Sequence, residues 1–290
     1  MTRAIDVVKA GPLTTVQDGG RIGFAHLAVP RSGALDAPAW RLANRLVGNP
    51  PHAAALETTV SGPALRPRDA CHIAVTGAWC PVLVDGRPGP WGVPFLVRPG
   101  QTVEIGTATR GLRSYVALSG GLAVDRILDS RSTDLLSGLG PAPLRDGDLL
   151  PLGQEEEPPA VIDYAPYPPP PTELLLRVLL GPRHDWFSDE ALAMLSSATY
   201  TVAPASNRIA LRLDGPSLRR NHNAELPSEA VVTGAVEVPP DGRPLIFLND
   251  HPTTAGYPVI AVVVPEDLAS CAQVRPGAAV RLRVLPNSHG

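Results

Sequence analysis

HIAVTGAWCPVLVDGRPGPWGVPFLVRPGQTVEIGTATRGLRSYVALSG, residues 72–120, decides the fold class. Within it HIAV (72–75), PVLVDG (81–86), FLVRPG (95–100), TVEIG (102–106) and SYVALSG (114–120) are short apolar runs, each closed by glycine, proline or Asp-Gly. Runs of that length with turn signals every 8–12 residues or so read as strands of an all-β barrel or sandwich. The 34 prolines and 27 glycines continue this punctuation along the chain. Helical periodicity is rare. LDAPAWRLANRLVGN (35–49) predicts a helix capped by Asp36, with Pro38 in its first turn and Trp40, Ala43, Leu46 and Val47 on one face. SDEALAMLSSA (188–198) predicts a second, opened by Ser188 and acidic in its first turn.

EEEPPAVIDYAPYPPPP (155–171) forms neither strand interior nor helix, because proline removes donors and fixes φ. It predicts a stiff linker between an N-terminal β-barrel domain (1–154) and a C-terminal one (172–290). Two faint echoes support related halves: GPALR at 62 with GPSLR at 215, and RPGQTVEI at 98 with RPGAAVRL at 275.

With 290 residues, 44% of them hydrophobic, the chain has ample material for a packed core. A net charge of -3 leaves no electrostatic footprint for nucleic acid or an anionic membrane. Neither a signal-type apolar run nor an 18-residue apolar stretch is present, which predicts a cytoplasmic protein. Cys71, Cys80 and Cys271 fit neither a disulfide framework nor a CxxC pair. Lys9 is the only lysine and sits in no phosphate-loop, Schiff-base or Ser-Lys context, so those mechanisms are excluded. The histidines lack ligand spacing, so no metal site is expected, and no GxSxG marks a nucleophile elbow.

NDHPTTAGYP (249–258) interrupts the most apolar part of the chain, between PLIFL and VIAVVV. A plain reversal needs only Asn-Gly or Asp-Gly, whereas this one carries an acid, an imidazole, hydroxyls and a phenol. Thr253 and Thr254 offer hydroxyls, Gly256 permits close backbone approach, and Tyr257 is restricted by Pro258. TTVQDGGRIGFAHLAVPRSGALD (14–36) reads either as solvated turns or as an anion site, with Arg31 and the amides of Ser32 and Gly33 at a helix start. In APASNRIALRLDGP (203–216) a strand-leading turn accounts for Ser206 and Asn207 but not for Arg208. SRSTDLLSGLG (130–140) reads as a structural loop.

Taken together, VQDGGRIGFAHLAVPRSGALD, RLANRLVGNPPHAAALETTVSGP, SRSTDLLSGLG, SNRIALRLDGP, GAVEVPPDGRPLIFLND and PTTAGYPVIAVV resemble the biotin-dependent carboxyltransferase, allophanate hydrolase subunit 2 or KipA family over residues 5–285. The resemblance implies a mainly β architecture of two cyclophilin-like barrel parts with a few short helices. It implies a subunit of an ATP-dependent 5-oxoprolinase, converting 5-oxoproline to glutamate with a KipI-like B subunit and a LamB/YcsF-like A subunit and inactive alone. ATP with magnesium would be bound here or by a partner. Alternatives are a urea amidolyase-like carboxyltransferase component and a non-enzymatic partner of a KipI-like kinase inhibitor. Amidase chemistry is excluded by the missing Ser-Ser-Lys set, and Lys9 in VVKAG is no biotin attachment site, so biotin would arrive on a separate carrier.

The chain departs from the family pattern where Asp-x-Gln-Thr-Thr-Gly-Gly-Tyr-Pro reads DHPTTAGYP (250–258) and Ile-Gln-Val-Pro reads VEVP (236–239). A third departure is Asp129, which replaces the glycine before Ser-Arg-Ser-Thr. For lactam hydrolysis the expected roles are anion clamps at Arg31 and Arg208, supported by Ser32, Gly33, Asn207, Thr253 and Gly256. Asp250 is expected to orient a proton or a magnesium-bound water, with Thr254 and Tyr257 as donors. Asp36, Asn44, Glu57 and Glu237 are expected behind them.

Overall fold

A computed structural model describes residues 3–222 and 225–286. The protein is mainly β, and two compact units organise it: Met1–Ile22, Ser32–Asp134 and Gly138–Pro170 form unit 1, and Gly23–Arg31, Leu135–Ser137 and Pro171–Gly290 form unit 2.

Unit 1 contains β1 (Ala4–Lys9), β2 (Thr14–Gln17), α1 (Ala37–Leu46), β3 (Ala55–Thr59), β4 (Ala64–Pro67), β5 (Cys71–Trp79), β6 (Val82–Val84), β7 (Arg87–Gly89), β8 (Phe95–Val97), β9 (Val103–Ile105), β10 (Arg110–Leu118) and β11 (Leu149–Pro151). These make two sheets, β11-β1-β4-β9-β6-β7 and β2-β3-β10-β5-β8. In the second sheet β5 and β10 pair antiparallel, Tyr115 opposite Thr76 and Val116 opposite Val75. Both strands are buried on both faces, which is why they read as continuous apolar runs. Ile73, Val75 and Val116 meet Ile5, Leu65 and Val103 of the first sheet. On the opposite face Ala74, Tyr115 and Ala117 receive Trp40, Ala43 and Leu46 of α1. Each fully buried aliphatic there contributes roughly 1.5–3 kcal/mol.

As predicted, Asp36 caps α1, its Oδ1 accepting from the Ala39 N–H at 3.0 Å. The proline-rich stretch up to Pro170 lies on unit 1, where the Ala160 N–H donates to the Leu46 carbonyl and Ala165 packs into the α1 cluster. Gly48 admits it: a Cβ there would lie 2.3 Å from the Glu157 carbonyl oxygen, and φ is +74°.

Unit 2 contains β12 (Leu174–Leu180), α2 (Asp189–Ser197), β13 (Thr199–Val202), β14 (Ala210–Asp214), β15 (Glu229–Ala230), β16 (Ala235–Glu237), β17 (Leu245–Phe247), β18 (Thr254–Ala255), β19 (Val259–Val263), α3 (Pro265–Cys271) and β20 (Ala279–Val284). Seven of them close a barrel in the order β12-β19-β16-β17-β14-β13-β20. Alternation on β12 sends Leu174, Leu176 and Val178 inward and leaves Leu175 and Leu179 exposed. β20 runs parallel to β12, Leu282 opposite Leu176, and antiparallel to β13. Ser188 caps α2 as predicted, accepting from the Ala191 N–H.

One sequence echo has a structural counterpart. Arg98-Pro99-Gly100 and Arg275-Pro276-Gly277 both form turns with glycine at φ +85°, closed by Gln101 N–H to Arg98 C=O and Ala278 N–H to Arg275 C=O, and a strand follows each. Pro at the second position and Gly at the third is the chemistry of a type II turn. Among the described residues no helix is long and apolar enough to cross a membrane.

Candidate functional site

The polar interruption 249–258 belongs to unit 2, between β17 and β19. Asp250 is fully buried and faces Arg208: Nε donates to Oδ2 at 2.9 Å and a terminal nitrogen to Oδ1 at 2.9 Å. The backbones join too, Asp250 N–H donating to the Arg208 carbonyl at 3.1 Å, and the Leu135 N–H donates to Oδ2 at 3.2 Å. Sequence reading expects Arg208 to clamp a substrate anion and Asp250 to handle a proton or a magnesium-bound water. The geometry corrects both expectations. The guanidinium fork is taken up by the carboxylate of this chain, and with 1% and 0% side-chain exposure neither group meets solvent.

The neighbouring residues also serve the loop itself. The Asn207 Oδ1 accepts from the N–H groups of Ile209 (2.8 Å) and Ala210 (3.2 Å), spending that side chain on its own turn. His251 Nδ1 lies 2.6 Å from the Pro252 carbonyl oxygen and Nε2 lies 3.1 Å from the Thr233 hydroxyl. Because a carbonyl can only accept, Nδ1 carries a proton, and in the neutral ring Nε2 then accepts from the Thr233 hydroxyl. Burial favours that form by lowering the His251 pKa. The Thr253 carbonyl accepts from the Val231 N–H, and exposed Thr254 lies on β18, paired with β15.

Beyond Thr254 the chain reaches an open cleft of about 660 Å³, lined among others by Ser217, Arg219, Arg220, His222, Gly256 and Tyr257. The Tyr257 side chain is 44% exposed, while its backbone N–H donates to the Glu237 carboxylate at 3.1 Å. Glu237 is 3% exposed at the end of β16, and burial raises its pKa against the Tyr257 hydrogen bond and the nearby Arg220 charge. Arg220 stacks over the Tyr257 ring, Cζ 5.7 Å from the centroid, and donates to the Val238 carbonyl. Its Nε is buried without a hydrogen-bond partner among the described residues, and burial lowers its pKa. Gly256, Tyr257 and Glu237 are thus brought together, and Arg220 joins them as the group that sequence reading missed. Its signal was the Arg219-Arg220 pair after GPSL.

The family profile for "Carboxyltransferase domain, subdomain A and B" matches residues 27–284. The chain belongs to this carboxyltransferase-domain family. It is 35% identical over 277 residues to the C subunit of Escherichia coli 5-oxoprolinase, covering 93% of this chain and 87% of that protein. The crystal structure of TTHA0988 is 38% identical with a TM-score of 0.88, covering 97% of this chain, which spans 55% of that one. The K. lactis urea amidolyase structure is 29% identical with a TM-score of 0.90, covering 99% of this chain, which spans 19% of that one.

In unit 1 of this carboxyltransferase-domain chain the other predicted residues serve its interior. Arg31 is exposed and belongs to unit 2, whereas Ser32 and Gly33 are buried in unit 1. Ser32 adopts φ +54° and its hydroxyl donates to the Thr133 carbonyl at 2.8 Å. The anion expected at the start of α1 is already there, since Asp36 places its own carboxylate on the first turn and also accepts from the Tyr167 hydroxyl at 2.9 Å. Glu57 accepts from the Tyr115 hydroxyl (2.7 Å) and the Leu35 N–H (3.0 Å), with Arg113 Nε at 3.7 Å. Tyr115 in turn accepts from the Asp36 N–H at 2.7 Å. Burial beside Glu57 and Asp36 pushes the Tyr115 hydroxyl well up, so it stays protonated. Asn44 donates to the Trp40 and Ala53 carbonyls and accepts from Asn49.

Sequence reading assigned no role to Ser130 and Ser132, whose hydroxyls converge with the Arg131 and Gly20 amides on buried Asp18. Among the described residues no group of three or more His, Cys, Asp or Glu is placed to hold a metal ion.

Proposed function

We propose that this chain is the C-type component of an ATP-dependent 5-oxoprolinase, active with B and A partner subunits and not alone. The observation that carries this reading is similarity to the 5-oxoprolinase C subunits, 35% identity over 277 residues to that of Escherichia coli and 31% over 284 residues to that of Haemophilus influenzae. In this reading the cleft of unit 2 holds the lactam. Arg219 and Arg220 supply positive charge, and Tyr257 supplies an aromatic face and a phenol. Opening a lactam adds water across its C–N bond, and coupling to ATP drives that step as the γ-phosphoryl group ends as phosphate. Asp250 then acts by holding the loop on which Gly256 and Tyr257 sit.

A second reading, a carboxyltransferase that moves CO2 from a biotin on a separate carrier to urea, is favoured by the TM-score of 0.90 to the K. lactis urea amidolyase. Co-purification with the candidate B and A subunits, followed by ATPase assay with 5-oxoproline or urea, separates the two. Stimulation by 5-oxoproline without biotin supports the first. Turnover that requires carboxybiotin and urea replaces it with the second, and vigorous 5-oxoproline-dependent ATPase from this chain alone contradicts the partner requirement.

A further inference from the structure

We infer that Arg220 forms a carboxylate subsite in the unit 2 cleft, which therefore takes a small ligand carrying a carboxylate next to its reacting amide. The amide half of this statement rests on the proposed function; the carboxylate half rests on the cleft itself. A guanidinium removed from water is costly unless its N–H groups find acceptors, and a carboxylate is the acceptor that also cancels its charge. Arg208 meets that need with Asp250. Arg220 does not. Among the described residues it donates only to the neutral Val238 carbonyl, and its Nε has no partner. Glu237 and Asp241 act on it through space without an ion pair, and Glu237 is engaged by the Tyr257 N–H. Of the other charged groups on the cleft wall, Arg219 adds to its attraction for an anion, and Glu225 is the one acid among the lining residues.

The group is also held ready. The Arg220 backbone bridges to Phe187, the Asn221 N–H donates to the Trp186 carbonyl at 2.7 Å, and the guanidinium lies over the Tyr257 ring with Cζ 5.7 Å from the centroid. A planar fork held by its backbone beside a ring suits a planar carboxylate.

The test measures binding of four probes to the full chain by ligand-observed NMR and calorimetry. They are 5-oxoproline, 2-pyrrolidinone (the same lactam without the carboxylate), cyclopentanecarboxylate (the carboxylate without the amide) and inorganic phosphate. The wild-type chain should bind both carboxylates at least about tenfold more tightly than 2-pyrrolidinone, a difference of about 1.4 kcal/mol. Arg220→Gln should erase that preference and Arg220→Lys should restore part of it. Equal affinity for 2-pyrrolidinone, tighter binding of phosphate than of carboxylate, or no carboxylate binding overturns the subsite, and these wild-type comparisons hold even if Arg220→Gln does not fold. Cyclopentanecarboxylate bound through Arg220 while 5-oxoproline is refused keeps the subsite and removes the 5-oxoprolinase reading. Equal 5-oxoproline binding by wild type and a folded Arg220→Gln does the reverse.

Discussion

Replacing Asp250 with asparagine tests whether the polar loop is built around its charge. The carboxylate accepts both prongs of Arg208 at 2.9 Å and the Leu135 N–H at 3.2 Å, with nothing of the pair exposed beyond 1%. Asparagine keeps the shape, but it offers one oxygen where two are used and turns an NH2 group toward a guanidinium that can only donate. The Arg208 charge then loses this counter-ion in a buried site. Breaking such a pair from one side costs about 3–5 kcal/mol, a large fraction of the ~5–15 kcal/mol that holds a typical domain folded. At roughly 2–4 °C per kcal/mol the melting temperature should fall by about 10 °C. Urea denaturation followed by circular dichroism measures the loss. A paired replacement, Arg208→Met with Asp250→Leu, should recover much of it, because the buried charge disappears with its partner. If Asp250→Asn melts within about 0.5 kcal/mol of wild type and its assembled complex loses turnover, the pair is not the loop's foundation and a catalytic carboxylate returns.

Three further outcomes follow from the same geometry. Burial raises the Glu237 pKa, so the folded state holds that proton more tightly than the unfolded one; stability is fullest below about pH 4.5 and falls as pH rises through the folded value. Glu237→Gln keeps the acceptor for the Tyr257 N–H and should raise the melting temperature at about pH 8 more than at about pH 4, and an equal gain at both would contradict the assignment. Tyr115→Phe removes the hydroxyl that joins the Glu57 carboxylate to the Asp36 N–H and should cost about 1–3 kcal/mol in denaturant titration, with a silent change arguing against the network. Alanine at Gly140 would place a Cβ 2.0 Å from the Ser132 carbonyl oxygen at φ +84°, whereas at Gly256 the nearest atom is 3.7 Å away. The first should therefore destabilise clearly, and the second should melt like wild type while weakening ligand binding in the cleft; the reverse order in paired melts and titrations would refute the reading.

The strands were legible because each is a short apolar run ended by its own turn chemistry. HIAV, PVLV, FLV, TVEI and SYVAL coincide with β5, β6, β8, β9 and β10. Helices α1 and α2 were legible through their caps. Helix α3 went unread, although Pro265 opens it and Glu266 and Asp267 follow in its first turn, because it has barely two turns to display a period. The Arg208–Asp250 pair was beyond reach for a different reason. Both residues were singled out, but 42 positions separate them and nothing local says that each is the other's partner. Arg220 was passed over because a solvated arginine and a desolvated one are spelled alike; only the fold reveals that its Nε is sealed from water.

The barrel of unit 2 is sealed by its last strand. β20 holds β12 on one side and β13 on the other, so residues 279–284 join the two strands that open the second half of the sequence. A ribosome delivers those residues after every other strand of the barrel. Until then β12 and β13 each carry an open backbone edge, and the pairing that satisfies them spans a sequence separation of about a hundred residues, the kind of contact that makes folding slow. Synthesis therefore passes through a stage in which unit 1 has its full complement of strands while unit 2 is an unclosed, edge-exposed sheet. A nascent chain in that stage is a natural client for chaperones, and premature termination before residue 279 should yield aggregation rather than a smaller working protein.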